Sequence, residues 1–163
     1  MSESVIRSFE DLECWRACRR LRLFVASVVA PALPPDERYR LADQLLRAAR
    51  STTNNIAEGY GRYHYLDNAK FCSNARGSCW EVLDHLIDAH DGGLVGDDLL
   101  AQGRSLAGDA VRRLNGYMKY LCEVSATGTV REFPASYGAP SGVPSAGQLP
   151  EDQHPSPAVP GDD

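Results

Sequence analysis

Residues 66–93 read LDNAKFCSNARGSCWEVLDHLIDAHDGG, and the placing of their apolar side chains decides the fold. Phe71, Cys72, Ala75, Cys79, Val82, Leu83, Leu86 and Ile87 recur at steps of three and four, the spacing of one face of an α-helix. The spacing predicts a helix from about Leu66 to His90, ended by Gly92-Gly93. A helix with one such stripe is stable only when other helices cover it.

The flanking sequence supplies those covers. Upstream, Tyr39, Leu41, Leu45, Ala48, Ala49, Ile56 and Ala57 trace a helix that Asp36 and Glu37 open at its electropositive end. Gly59-Tyr60-Gly61 closes it, since glycine accepts the left-handed conformation of a helix stop. Earlier still, Ser8-Phe9-Glu10-Asp11 has the form of a capping box, followed by the stripe Leu12, Trp15, Cys18, Leu21, Val25 and Val28 or Val29. Pro31, Pro34 and Pro35 are expected to stop that helix and restart the chain. Downstream, Asp97 and Asp98 open a last helix whose stripe is Leu99, Leu100, Leu106, Ala110, Val111, Leu114, Tyr117, Met118, Leu121 and Cys122. No period-two strand is present. Four segments of about 21 to 26 residues, joined by loops of about six, place neighbours antiparallel. The expected fold is all-α, an antiparallel up-down four-helix bundle over residues 1–125.

Residues 126–163 differ in kind. They hold seven of the ten prolines and five of the 14 glycines, with few apolar anchors, and carry one arginine against five acidic residues. The composition predicts a disordered, acidic, Pro-rich tail. The N-terminus lacks an apolar signal core, and the greasiest run, Leu23 to Leu33, is too short to span a bilayer and contains a proline. A soluble, cytoplasmic protein without a membrane partner is expected.

The net charge of −5 argues against a strongly basic nucleic-acid binder, but the charge is uneven. Residues 7–62 carry ten arginines against seven acidic residues, and 63–125 carry six basic against nine acidic. Arginine outnumbers lysine fifteen to two, which suits bidentate phosphate or carboxylate contacts. Arg16, Arg19, Arg20 and Arg22 on the first helix, with Arg47 and Arg50 on the second, are the candidates for phosphate or partner binding, Arg16, Arg19 and Arg20 sharing one face. The competing reading is a solvated face paired with Glu13, Asp43 or a neighbouring subunit.

Cys14, Cys18, Cys72, Cys79 and Cys122 are odd in number and contain no Cys-x-x-Cys pair, so they read as reduced core thiols rather than disulfides or metal ligands. Glu81, Asp84, His85 and Asp88 share adjoining turns, but a Glu-x-x-x-His spacing with no second Glu-x-x-His is not a di-iron set, and a solvated face is favoured. Gly59-Tyr60-Gly61 and Gly92-Gly93-Leu94-Val95-Gly96 lack the partners of a nucleotide loop. No cofactor, metal or small-molecule substrate is expected. Gly77 and Gly116 in mid-helix cost about 1 kcal/mol each relative to alanine and suggest close packing, within the bundle or between subunits.

Several strings, taken in order, resemble one family. They are Phe9-Glu10-Asp11-Leu12-Glu13-Cys14-Trp15, Glu37-Arg38-Tyr39, Asn55-Ile56-Ala57-Glu58-Gly59-Tyr60-Gly61-Arg62, Ala75-Arg76-Gly77-Ser78 and Leu114-Asn115-Gly116. The set resembles the bacterial four-helix-bundle proteins first noticed as reading frames in intervening sequences of large-subunit ribosomal RNA genes. Related to these are the accessory variability determinants of diversity-generating retroelements. The resemblance implies a homo-oligomer, a pentamer in those relatives, that binds a reverse transcriptase and RNA or DNA. The sequence departs from the family pattern at Thr52-Thr53, where relatives carry Ile-Pro, so the second helix should run straight.

The family string holds Asn55, Glu58, Gly59 and Arg62, joined by Arg76 and Gly77 from the next helix. A carboxylate beside an arginine invites a general-base reading. The structural reading is favoured, with Asn55 and Glu58 satisfying loop backbone or pairing with Arg62 or Arg76, because no nucleophile, phosphate loop or metal cluster accompanies them. The sequence thus supports a non-catalytic oligomeric scaffold for nucleic acid or a reverse transcriptase, with a protein-only module recruiting through its tail as the alternative.

Overall fold

The computed structural model describes residues 6–62 and 64–128. The predicted tail, apart from residues 126–128, lies outside the described residues. Ser8 caps a 3-10 turn at Phe9–Asp11: its hydroxyl accepts from Glu10 N–H, and its own N–H donates to Asp11 Oδ2. The chain then enters α1 (Glu13–Phe24), a π turn (Val25–Val29) and the single helical turn α2 (Ala30–Ala32). After a 3-10 turn at Pro35–Glu37 come the long helices α3 (Leu41–Tyr60), α4 (Tyr65–Asp91) and α5 (Asp97–Ala126).

Helix α1 packs on α3 and α5, α3 on α4, and α4 on α5. Four long helices joined in sequence with these neighbours form an up-down bundle, closed by contact between the first and the last. Each contributes fully buried side chains to one core: Leu21, Leu45 and Ile56, Leu86, then Leu114 and Leu121. Thr52, Thr53, Asn68 and Ser78 are the buried polar residues among those described, and each is hydrogen-bonded. Thr52 donates to Ala49 C=O at 2.7 Å and Thr53 to Arg50 C=O at 3.2 Å, inside an uninterrupted α3.

Four expectations need correcting. Pro31 does not stop the first helix. A proline ring crowds the carbonyl four residues earlier and cannot donate backward, and here that carbonyl belongs to the widened π turn, so helical backbone continues to Ala32. Helix α3 begins at Leu41 rather than at Asp36, which leaves Tyr39 in a turn with 84% of its surface exposed. Cys122 is exposed, whereas the other four cysteines are buried.

The fourth correction concerns the glycine stop of α3. Gly61 ends α3 with right-handed backbone, φ −73°, and Gly59 is a buried helical residue rather than a cap. A Cβ on Gly59 would stand 2.8 Å from Asn68 Oδ1 and 2.8 Å from Phe71 Cβ, so the absence of a side chain is what lets α3 and α4 approach. Gly77 and Gly116 show the reverse, with nothing within 4 Å of an added Cβ, and close packing inside the bundle does not explain them. The other tight glycine is Gly103, whose added Cβ would meet Leu86 Cδ1 at 2.4 Å across α4 and α5. The expected stop after α4 does occur: Gly93 has φ +70°, and Leu94 N–H reaches back to Ala89 C=O at 2.8 Å.

Candidate nucleic-acid interface

Between Glu13 and Asp36 the chain has no acidic residue, and between Asp43 and Glu58 it again has none. Arginines on these stretches of α1 and α3 therefore reach back to Glu13 or Asp43 at the start of their own helix, find counter-charges on other elements, or keep their charge open. The bundle divides the six candidate arginines in this way.

Arg16 and Arg20 are neutralised along the seam of α1 with α5. Arg16 pairs with Asp11 at 3.2 Å and Glu13 at 3.3 Å, and its Nε donates to Glu10 C=O at 2.9 Å. Arg20 pairs with Asp109 at 2.9 Å. Asp109 also takes Arg112 at 2.6 Å and Arg113 at 3.2 Å, and Arg113 returns to Glu13 at 3.1 Å, so the ion pairs form one continuous chain. Partial burial alone would raise the Asp109 carboxyl, but hydrogen bonds and charge from Arg20, Arg113 and Arg112 outweigh it and hold the group below the usual carboxylate range. Asp11 is likewise held low, chiefly by the backbone N–H groups of Arg7 and Ser8.

The other four arginines face elsewhere. Arg22 crosses to α3 and donates to Thr53 Oγ1 at 3.1 Å. Arg50 lies one turn before Thr53, whose hydroxyl is bonded to the Arg50 carbonyl. Arg19, three residues from both Arg16 and Arg22, is exposed between the two seams. Among the described residues no carboxylate lies within 4.0 Å of Arg19, Arg22 or Arg50. Arg47 has Asp43 at 3.2 Å, both side chains being largely solvated, a weak pairing. The expectation that Arg16, Arg19 and Arg20 act as one face is thus replaced: Arg16 is held by Asp11 and Glu13 and Arg20 by Asp109 of α5, and the open cations are Arg19, Arg22 and Arg50, with Arg47 one turn before Arg50.

The family-string residues are engaged with one another. Arg62 pairs with Glu58 and lies over the Phe71 ring, 4.7 Å from its centroid. Asn55 donates to Ser51 C=O at 2.9 Å, and Ser51 Oγ meets Ser78 Oγ at 2.9 Å, which links α3 to α4. Arg76 donates to Asn115 Oδ1 at 3.0 Å, linking α4 to α5. Asn68, beneath Gly59, donates to the Tyr117 hydroxyl at 3.0 Å.

A surface cleft of 440 Å³ lies beside the ion network, with Leu12, Cys14, Gly116 and Tyr117 among its walls. The Asp11, Glu13, Arg16 and Arg113 side chains at its border are committed to one another. Burial pushes the Cys14 thiol up to about 12, which removes the thiolate a nucleophile needs. Cys72 is raised to about 12 by burial, and Cys18 is raised by its contact with Cys79, 3.8 Å away, and by burial. Among the described residues no three His, Cys, Asp or Glu side chains are grouped to hold a metal ion, and no helix is long and apolar enough to cross a membrane. His85 sits 3.8 Å from Glu81, an i, i+4 pair on α4.

Sequence reasoning missed Asp109 as the anion that claims Arg20, and Thr53 as the acceptor of Arg22. Both partners lie far along the chain, 89 and 31 residues away, where periodicity carries no signal. Residues 10–116 match the model of a family described as 23S rRNA-intervening sequence protein. No curated protein matches the chain.

Proposed function

The chain belongs to the 23S rRNA-intervening sequence protein family, and from that premise we propose that it is a non-catalytic, self-associating scaffold that offers Arg19, Arg22, Arg47 and Arg50 to the phosphate backbone of RNA or DNA. The observation that carries the proposal is the division of the arginines. Two are neutralised within the fold, and three on the α1 and α3 side have no carboxylate within 4.0 Å among the described residues. Guanidinium groups left open on two helices that pack together suit an extended polyanion, because each phosphate contact releases condensed counterions. Along α1 and α3 the strip follows two helices side by side, a surface for a backbone rather than a pocket for a small molecule. The resemblance read from the sequence extends the proposal to a closed ring, a pentamer, serving as accessory factor to the reverse transcriptase of a diversity-generating retroelement.

The test is retention of single- and double-stranded oligonucleotides at increasing salt. Log affinity should fall linearly with log salt, with a slope of about 0.7 to 0.9 per phosphate engaged. Replacing Arg19 and Arg50 together by glutamate should lower affinity and flatten that slope by roughly 1.4 to 1.8. The variant Arg16→Ala, altering a cation already neutralised, should leave the slope unchanged. Absent or salt-insensitive binding by the native protein removes the nucleic-acid assignment. Light-scattering mass tests the ring, and a reverse-transcriptase frame flanking the gene with template and variable repeats tests the retroelement role. In the protein-only alternative, deleting residues 126–163 abolishes partner capture and leaves assembly intact.

A further inference from the structure

The outward face of α4 carries a pattern that neither the core nor the arginine strip uses. Cys72, Ala75, Cys79, Val82 and Leu86 point into the bundle and are fully buried. On the opposite side Lys70, Ser73, Gly77, Trp80 and Asp84 follow at steps of three and four, and all five are exposed. Trp80 has half its surface in water, a large apolar area for a helix exterior. Gly77, at the centre of the stripe, has nothing within 4 Å of the position a Cβ would take. A mid-helix glycine weakens its helix, and here no contact within the described bundle accounts for it.

The charges around Gly77 are antisymmetric. Lys70 lies seven residues before it and Asp84 seven after, two helical turns each way, so both stay on the same face. Neither has an opposite charge within 4.0 Å among the described residues. The pattern extends beyond this pair. Before Gly77 the helix carries Lys70 and Arg76 against Asp67, and after it Glu81, Asp84, Asp88 and Asp91 with no lysine or arginine.

We propose that this face is a two-fold, self-complementary contact in which α4 of one copy lies antiparallel on α4 of a second copy, crossing at Gly77. The antiparallel register sets Lys70 of each copy against Asp84 of the other and the basic half of each helix over the acidic half of its partner. A parallel register would set like charges together. The bare Cα of Gly77 lets the two backbones approach, and Trp80 of each copy then falls across Ser73, Asn74 and Gly77 of the other, a ring seated on small side chains. A contact of this kind is isologous: it joins copies in pairs and cannot by itself close a five-membered ring. The inference therefore stands apart from the ring and from nucleic-acid binding, and where a ring exists it joins two rings.

The test uses the full chain and its mass by light scattering or sedimentation over a concentration series. Lys70→Glu and Asp84→Lys each replace two attractions per contact by two repulsions, and each should raise the concentration for half-dissociation by about tenfold or more. The double variant, which swaps the charges and keeps them complementary, should return to within about threefold of the native value, and Trp80→Ala should halve the mass without lowering helical content. The mass halves whether the native particle is a dimer or a pair of rings, so loss of the ring and loss of this contact read differently. A native protein that stays monomeric at all concentrations, single variants that leave the mass unchanged, or a double variant as weak as the singles would each overturn the inference.

Discussion

Replacing Gly59 by alanine should destabilise the bundle even though alanine is the better helix former. An added Cβ meets Asn68 Oδ1 and Phe71 Cβ at 2.8 Å, and reaching an ordinary contact of 3.4 Å requires α3 and α4 to separate or their side chains to shift. Phe71 Cβ is fixed to the α4 backbone and cannot rotate away. Asn68 is held by its bond to the Tyr117 hydroxyl at 3.0 Å, and displacing it strains that bond. Overpacking of this kind costs about 1–3 kcal/mol. A weakened buried hydrogen bond adds about 1 kcal/mol. The gain in helix propensity returns about 1 kcal/mol. The net expectation is a loss of about 1–3 kcal/mol, which for a domain of about 120 residues lowers the melting temperature by roughly 4–15 °C. Gly116→Ala is the matched control, since its Cβ enters open space, and it should stabilise by up to about 1 kcal/mol. Urea denaturation of both variants at equal protein concentration gives the comparison. A Gly59→Ala protein as stable as the native one would refute the close approach of α3 and α4 argued from this residue.

Three further outcomes follow from the same geometry. Under native conditions a thiol reagent should modify Cys122 promptly and the four buried cysteines only on the timescale of unfolding, and rapid reaction of a second thiol would contradict the core described. His90 is raised above its ordinary value by its hydrogen bond to Asp97 at 2.7 Å and then by Asp91, so its contribution to stability is present below the unfolded value of 6.5 and is lost as pH rises through the folded value. The melting temperature of the native protein should exceed that of His90→Gln by more at about pH 5.5 than at about pH 9, and a gap that widens with pH would reverse the sign assigned. Asp109→Asn strips the common anion from Arg20, Arg112 and Arg113, and calorimetry should show a loss near 1 kcal/mol, small because the arginines are largely solvated, with the loss shrinking in high salt.

The four helices were legible because each repeats its apolar side chains at the helical period over twenty or more residues, and burial of Leu21, Leu45, Ile56, Leu86 and Leu114 follows that stripe. The ends were less legible. Pro31 carries a strong local stop signal, and it is overridden because a π turn moves the carbonyl it would strike. Gly59, at the last turn of α3, and Gly77, in the middle of α4, both lie in family strings, yet one faces Asn68 and Phe71 and the other faces solvent. Only the rotation of each helix about its axis separates them. The same rotation decides the candidate site: adjacent Arg19 and Arg20 differ because Arg20 meets Asp109 across the bundle, and nothing in the residues around position 20 announces an anion on the last helix.

The ion pairs that tie the first helix to the last have a bearing on how the chain is made. Arg20 waits for a residue 89 positions later, and Glu13 for one 100 positions later. The hairpin of α3 and α4 can close as soon as it is synthesised, whereas Arg20 and Glu13 of α1 find their partners on α5 only after about half of that helix has emerged, a late step with a high loop-closure cost. A nascent or truncated chain that stops short of residue 109 therefore leaves Arg20 without its carboxylate, and would hold polyanions more tightly than the finished molecule does.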